Sequence, residues 1–171
     1  MQELEKENSD LKKQLESKTE VASIEETKVS EAGTPISNND VEIIINNVEL
    51  VYDVVPDNIS VLYTHYGADQ GNVYLHIDMD EKNWGKQNMA CDKILKATSD
   101  YNSGYTYSGF PVPGDSNTGF TYANITSIKP LETLGVHYLF QCPQEVEESS
   151  NPLFVIIEPS SSQDSYILTL R

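Results

Sequence analysis

Six aromatic side chains, Tyr101, Tyr105, Tyr107, Phe110, Phe120 and Tyr122, fall within 22 residues and are interleaved with Gly, Ser and Asn. Rigid rings among small polar residues are the composition of recognition loops, and they also suit stacking on sugar rings. The same residue types are common in strands, where they would cover a sandwich flank. Tyr101, Tyr105 and Tyr107 are two or four apart, so a continuous strand puts them on one face. Trp84, the single tryptophan, stands in the polar turn EKNWGKQN as either a core plug or an exposed contact. Tyr101, Tyr105, Tyr107, Tyr122 and Trp84 are therefore the candidate ligand-binding residues.

Catalytic chemistry has less to stand on. The three histidines are His65, His76 and His137, and the sequence holds no HExxH, GxSxG, P-loop or GxGxxG pattern. His76 and His137 lie on the polar faces of alternating segments. Facing each other across a sheet, they would offer a metal two ligands, with Asp78 as a third, but solvated side chains are the plainer reading. Asp78 and Asp80 share a strand face about 6.5–7 Å apart by strand rise. With Glu81 they offer a carboxylate pair for glycosidic hydrolysis or part of a Ca²⁺ site. Any acidic strand has that spacing, and no liganding loop surrounds them. The expectation is no catalytic residue, no metal and no cofactor. Cys91 and Cys142 are 51 positions apart and form no CxxC. Either they bridge two strands, which is the expectation, or they pack as two buried thiols.

These residues need strands to hold them. Val73, Leu75, Ile77 and Met79 alternate without exception with Tyr74, His76, Asp78 and Asp80, which predicts a half-buried central strand. Before it, VEIIINNVELVYDVVP reads as strand with a bulge or turn at Asn46-Asn47, ended by Pro56-Asp57-Asn58. After it come a strand or single helical turn over Met89 to Ala97, the loop PVPGDSNTG, and a short strand at Phe120 to Tyr122. GVHYLFQCP follows, with Val136, Tyr138, Phe140 and Cys142 on one face. Glu145 to Asn151 reads as an acidic surface loop, and LFVIIEP and SYILTLR close the chain. Seven to nine short strands with little helix potential predict an all-β antiparallel sandwich over residues 41–171. Residues 29–40 read as a flexible linker. Residues 1–28 read as a helical stalk or short coiled coil, with Leu4, Leu11 and Leu15 at heptad d, d and a and Asn8 at a. That stub is a candidate for self-association.

The chain carries 27 acidic and 11 basic residues, for a net charge of −16. No basic stripe exists, which argues against nucleic acid and against direct binding to an anionic membrane surface. No apolar run reaches the ~18–20 residues of a membrane span. The start, MQELEKEN, is too charged for a signal peptide.

The order of segments resembles the immunoglobulin-like domains of Gram-positive bacterial lipoproteins, a family of unknown function similar to secreted mycobacterial immunoprotective antigens. The resemblance is carried by the opening strand VEIIINNVEL and the glycine-entered strand GNVYLHIDMDEKNWGK. IKPLETLGVHYLFQCP and the closing pair LFVIIEP and YILTLR complete it. It covers about residues 41–171. The turn before Val136, Glu132-Thr133-Leu134-Gly135, replaces the family's plain Pro-Gly, and residues 98–124 are richer in tyrosine. The resemblance implies an immunoglobulin-like sandwich displayed outside the cell, anchored through an upstream lipid or membrane segment. Its expected role is binding or spacing at the envelope, with protein as partner. A carbohydrate-binding module using the tyrosine-rich face is the alternative.

Overall fold

The alternation at Val73 to Asp80 becomes one twelve-residue strand in the computed structural model, which describes residues 27–59 and 62–171. In chain order the strands are β1 (Thr27–Ser30), β2 (Ile36–Ser37), β3 (Val41–Val51), β4 (Asp53–Val54), β5 (Tyr66–Gly67) and β6 (Asn72–Asn83). They continue as β7 (Met89–Ala90), β8 (Leu95–Tyr101), β9 (Tyr105–Ser108), β10 (Phe110–Asp115) and β11 (Gly119–Phe120). The last are β12 (Ser127–Ile128), β13 (Thr133–Pro143), β14 (Leu153–Pro159) and β15 (Ser165–Thr169). A short helix, α1 (Glu145–Glu148), and 3₁₀ turns at Cys91–Lys93 and Ala123–Ile125 complete the described elements.

Two sheets make the sandwich. One runs β11-β10-β13-β6-β3-β2 and the other β1-β15-β14-β8-β9. Two-stranded ribbons, β12-β7 and β4-β5, stand beside them. The strands outnumber the expected seven to nine because several are two-residue pairings too short to show a period. Pairing is antiparallel except at the edge, where β1 runs parallel to β15. Residues 29–40 are therefore not simply a linker. Val29 and Ser30 pair with Ile167 and Leu168, and Ile36 is buried in the core after pairing with Ile43. The stalk expected over residues 1–28 lies, apart from its last two residues, outside the described residues.

Between the sheets, period-2 alternation does what it predicts. β6 contributes Val73, Leu75, Ile77 and Met79, and β13 contributes Val136, Tyr138, Phe140 and Cys142. They meet Leu95, Ala97 and Tyr101 of β8 and Leu153, Val155 and Ile157 of β14. A register shift between Ile45 and Asn47 makes the bulge expected in β3.

The other face of the six-stranded sheet departs from expectation. Tyr74, His76 and His137 are at most 6% exposed. A second apolar cluster, Val54, Tyr74, Val112, Phe120 and Leu139, covers this face, with Val51, Tyr66 and Ala68 against it. Its lid is the excursion between β3 and β6, folded back through the β4–β5 ribbon and tied down where Thr64 N–H donates to the Thr118 carbonyl at 3.0 Å.

The chain changes sheets at Gly109, between β9 of one sheet and β10 of the other. Its N–H donates to the Ala97 carbonyl at 2.9 Å. A Cβ there would stand 2.6 Å from two ring carbons of Phe140, which is fully buried and has no room to retreat. Gly109→Ala should lower unfolding stability by roughly 1–3 kcal/mol, read from urea denaturation. A change under a few tenths of that range would mean that the two sheets slide freely at this crossing.

Candidate functional site

The tyrosine-rich stretch is a hairpin, not one strand. β8 turns at Asn102-Ser103-Gly104 into β9, with φ of 51°, 55° and 151° at the three turn residues. The Asp100 carboxylate accepts from Gly104 N–H at 2.9 Å, and Asn102 N–H donates to the Pro152 carbonyl at 2.9 Å. Cross-strand register pairs Tyr101 with Tyr105 and Ser99 with Tyr107. Directly paired residues share a face, so the three tyrosines do stand together, by a different route from the one expected.

They line a recess of about 200 Å³ with Asn102, Pro143 and Glu145. Tyr101 is its fixed wall. Only 4% exposed, it donates its phenol proton to Glu145 Oε1 at 3.2 Å and accepts from Ser149 Oγ at 2.6 Å and Asn151 Nδ2 at 2.9 Å. One donation and two acceptances saturate a phenol. The Tyr101 and Tyr105 rings are 6.2 Å apart and tilted by 46°. Tyr105 is the outer wall at 61% exposure. The Tyr107 phenol is raised above its ordinary pKa by burial first, then by the acidic groups around it, Cys142, Glu145 and the other two phenols. The far wall is α1, an unexpected helical turn in the acidic stretch. Val146 plugs it into the core, and Arg171 donates to the Val146 carbonyl through Nη2 and to the Asn151 carbonyl through Nε.

Trp84 and Tyr122 stand elsewhere. Trp84 follows the last residue of β6, at the opposite end of the strand from Pro143 and its partner Asn72. Its half-exposed ring carries the Lys82 ammonium 3.7 Å from the centroid. Tyr122 is 70% exposed before the second 3₁₀ turn. Glu145 was missing from the candidates because no strand pattern points to it.

His76 and His137 do meet across the sheet, but not as solvated residues. Their rings lie within 15° of parallel with centroids 5.0 Å apart, and His76 Nε2 lies 2.8 Å from His137 Nδ1, an edge-to-edge contact. A carboxylate only accepts, so His76 Nδ1–H donates to Glu49 Oε1 at 3.0 Å. His76 Nε2 is then left to accept from His137 Nδ1–H. Burial and the neighbouring imidazole hold His137 below its usual pKa, while Asp78 and Asp57 pull it upward. Among the described residues, no three His, Cys, Asp or Glu side chains converge as a metal site.

Glu81 has the parity of Val73 and Met79 and points into the core, fully buried. Tyr138 donates its O–H to Glu81 Oε1 at 3.1 Å, and Oε2 has no partner. Burial lifts the carboxyl to about 8, so the acid is largely neutral at pH 7. The expected Cys91–Cys142 bridge is not formed, and both are free, buried thiols. They have different surroundings. Cys91 lies by Glu81 and Tyr138, whereas Cys142 sits four residues past Tyr138 on β13, roughly 13 Å along the strand, beside Ser99. Burial pushes Cys91 up to about 12 and Cys142 up to about 11, so neither is a thiolate at neutral pH.

These features define a β-sandwich protein with sealed internal polar groups and one small aromatic recess. The chain belongs to the family of an uncharacterized β-sandwich protein from Clostridium difficile 630, with which it is 39% identical over 88% of this chain and 99% of that one, at a TM-score of 0.83. A conserved hypothetical protein from Bacillus anthracis shares the fold at a TM-score of 0.55 and 11% identity, over 82% of this chain and 94% of that one. No protein-family model and no curated protein matches the chain.

Two outcomes are expected. The folded Glu81 pKa is raised from 4.5 to about 8, so its stabilising protonation is complete below pH 4.5 and is lost as pH rises through 8. Glu81→Gln should flatten the fall in stability between pH 5 and 9, a difference on the order of a few kcal/mol in chemical denaturation. An unchanged slope would place the ionisation elsewhere. Alkylation in denaturant without reductant should modify both cysteines by intact mass, and modification of neither would mean a bridge.

Proposed function

We propose that this is a non-catalytic binding or spacer domain displayed at a bacterial cell surface. In this reading it is an immunoglobulin-like sandwich, joined through an N-terminal helical stalk to an upstream lipid or membrane anchor, and protein is its partner. The observation that carries the reading is the recess of Tyr101, Tyr105 and Tyr107, where a fixed aromatic wall faces an exposed ring. The site is built by a hairpin and a helical turn whose contacts are already satisfied. Such preorganisation favours binding by cutting the entropy lost on association. A non-catalytic role agrees with the chemistry inside. Both thiols are protonated, Glu81 is sealed from solvent, and the imidazole pair is closed beneath the second apolar cluster. The relative of the same family is a bacterial protein.

Carbohydrate recognition is the second reading, favoured by the exposed ring of Tyr105. A pyranose stacks on an open ring face, and here Tyr101 is buried and tilted, which leaves one such face. Protease shaving of intact cells should release this domain from the full-length protein, and retention with the cytosol would overturn the surface assignment. On a glycan array the wild-type domain should show no signal that Tyr105→Ala/Tyr107→Ala abolishes. Such a signal would install the carbohydrate reading in place of the first.

A further inference from the structure

We infer that the tyrosine recess is a cage for an alkylammonium group, with the rings of Tyr101, Tyr105 and Tyr107 as walls and the Glu145 carboxylate as counter-charge. This rests on the reading of that recess as the binding site, and it adds the ligand chemistry.

The size of the recess comes first. At about 200 Å³ it falls below the ~300 Å³ at which drug-sized pockets begin, so it admits a compact group rather than a chain of rings. Its walls come next. The Tyr101 and Tyr105 rings pack against each other at 6.2 Å, so a cation does not enter between them but seats in the recess against the exposed Tyr105 ring, within the ~6 Å reach of its face, with the fixed Tyr101 ring behind it. The electrostatics agree. Glu145 is the carboxylate among the groups beside the Tyr107 phenol, so a positive ligand in the recess gains a counter-charge there.

Glu145 spends only Oε1, on Tyr101, and the side chain is otherwise exposed toward the recess it lines. The nearby cation Arg171 is turned to the Val146 and Asn151 carbonyls instead. Glu147 and Glu148 follow in α1, and the whole chain carries −16, which repels a ligand bearing its own phosphate. The chemistry that fits is therefore a trimethylated or protonated amine without an adjacent anion. Free choline and a trimethyllysine side chain both present it.

Binding can be read by calorimetry and by NMR shifts of the tyrosine rings. Choline should bind about ten-fold more tightly than its neutral isostere 3,3-dimethylbutan-1-ol, and phosphocholine should bind more weakly than choline. A trimethyllysine peptide binding more tightly than free choline would assign the group to a protein partner, and the reverse order would assign it to a small molecule. Tyr105→Phe should keep the affinity, whereas Tyr105→Leu and Glu145→Gln should each weaken it several-fold. Tyr105 is an exposed edge residue, so an unchanged Tm would show that these variants fold. Equal binding of the neutral isostere, or binding indifferent to Tyr105→Leu, would overturn the cage. If no cation binds while tyrosine-dependent binding to another ligand is found, the cage fails and the binding-domain reading stands. If neither is found, both fail.

Discussion

Burial of β6 on both faces sets the terms for the rest of the molecule. A sandwich strand normally presents one face to the core and one to water. Here the inner face packs on the five-stranded sheet, and the outer face around Tyr74 and His76 packs under the β3–β6 excursion. Each buried polar side chain on β6, namely His76, Glu81 and Asn83, must then find a partner inside the protein or stay neutral. His76 finds His137 and Glu49. Glu81 accepts from one phenol and is left with an unpaired Oε2, and a buried polar group without a partner costs about 1–3 kcal/mol.

The two polar insertions are handled in opposite ways. On the outer face, hydrogen bonding runs in one direction from His137 through His76 to Glu49, so the two rings need no net charge and the carboxylate at the end remains half-exposed. On the inner face no such exit exists, and the carboxyl of Glu81 keeps its proton instead. Protonation is the cheaper route, because an ionised group in a dry core is far more costly than a neutral acid. The cysteines follow the same rule, since each sits as a neutral thiol in a site that penalises the anion.

Much of this was legible in the residues, and the failures have physical causes. Strict alternation located β6 and the inner halves of β3 and β13, because a core face imposes a period of 2. The same parity assigns Glu81 to the interior. Grouped by charge with Asp78 and Asp80, it looked like surface chemistry instead. Coverage of the outer face was not legible. The residues that provide it, Val54, Tyr66 and Phe120, come from pairings of two residues, and a two-residue strand has no period. The hairpin at Tyr101 was signalled by Asn102-Ser103-Gly104, a run of turn formers. The spacing of the tyrosines, read as one strand, concealed it. A bridge between Cys91 and Cys142 satisfied the count of cysteines but not the distance along β13.

The location of the recess follows from the same constraint. Covering the outer face around Tyr74, His76 and His137 removes that part of the six-stranded sheet from a ligand's reach. The tyrosine recess opens instead at the end of the sandwich, where β13 stops at Pro143 and β9 is the edge strand of the other sheet. An edge exposes backbone and invites pairing with another chain, and among the described residues β9 has one strand neighbour, β8. Tyr105 and Tyr107 crowd this edge, and α1 folds across the adjacent gap with Val146 as its anchor. The ring walls and the carboxylate therefore belong to the closure of the sandwich end itself. Because Tyr101 is held by Glu145, Ser149 and Asn151, loosening α1 would loosen the wall, so the stability of this corner and the shape of the recess are set by the same three hydrogen bonds.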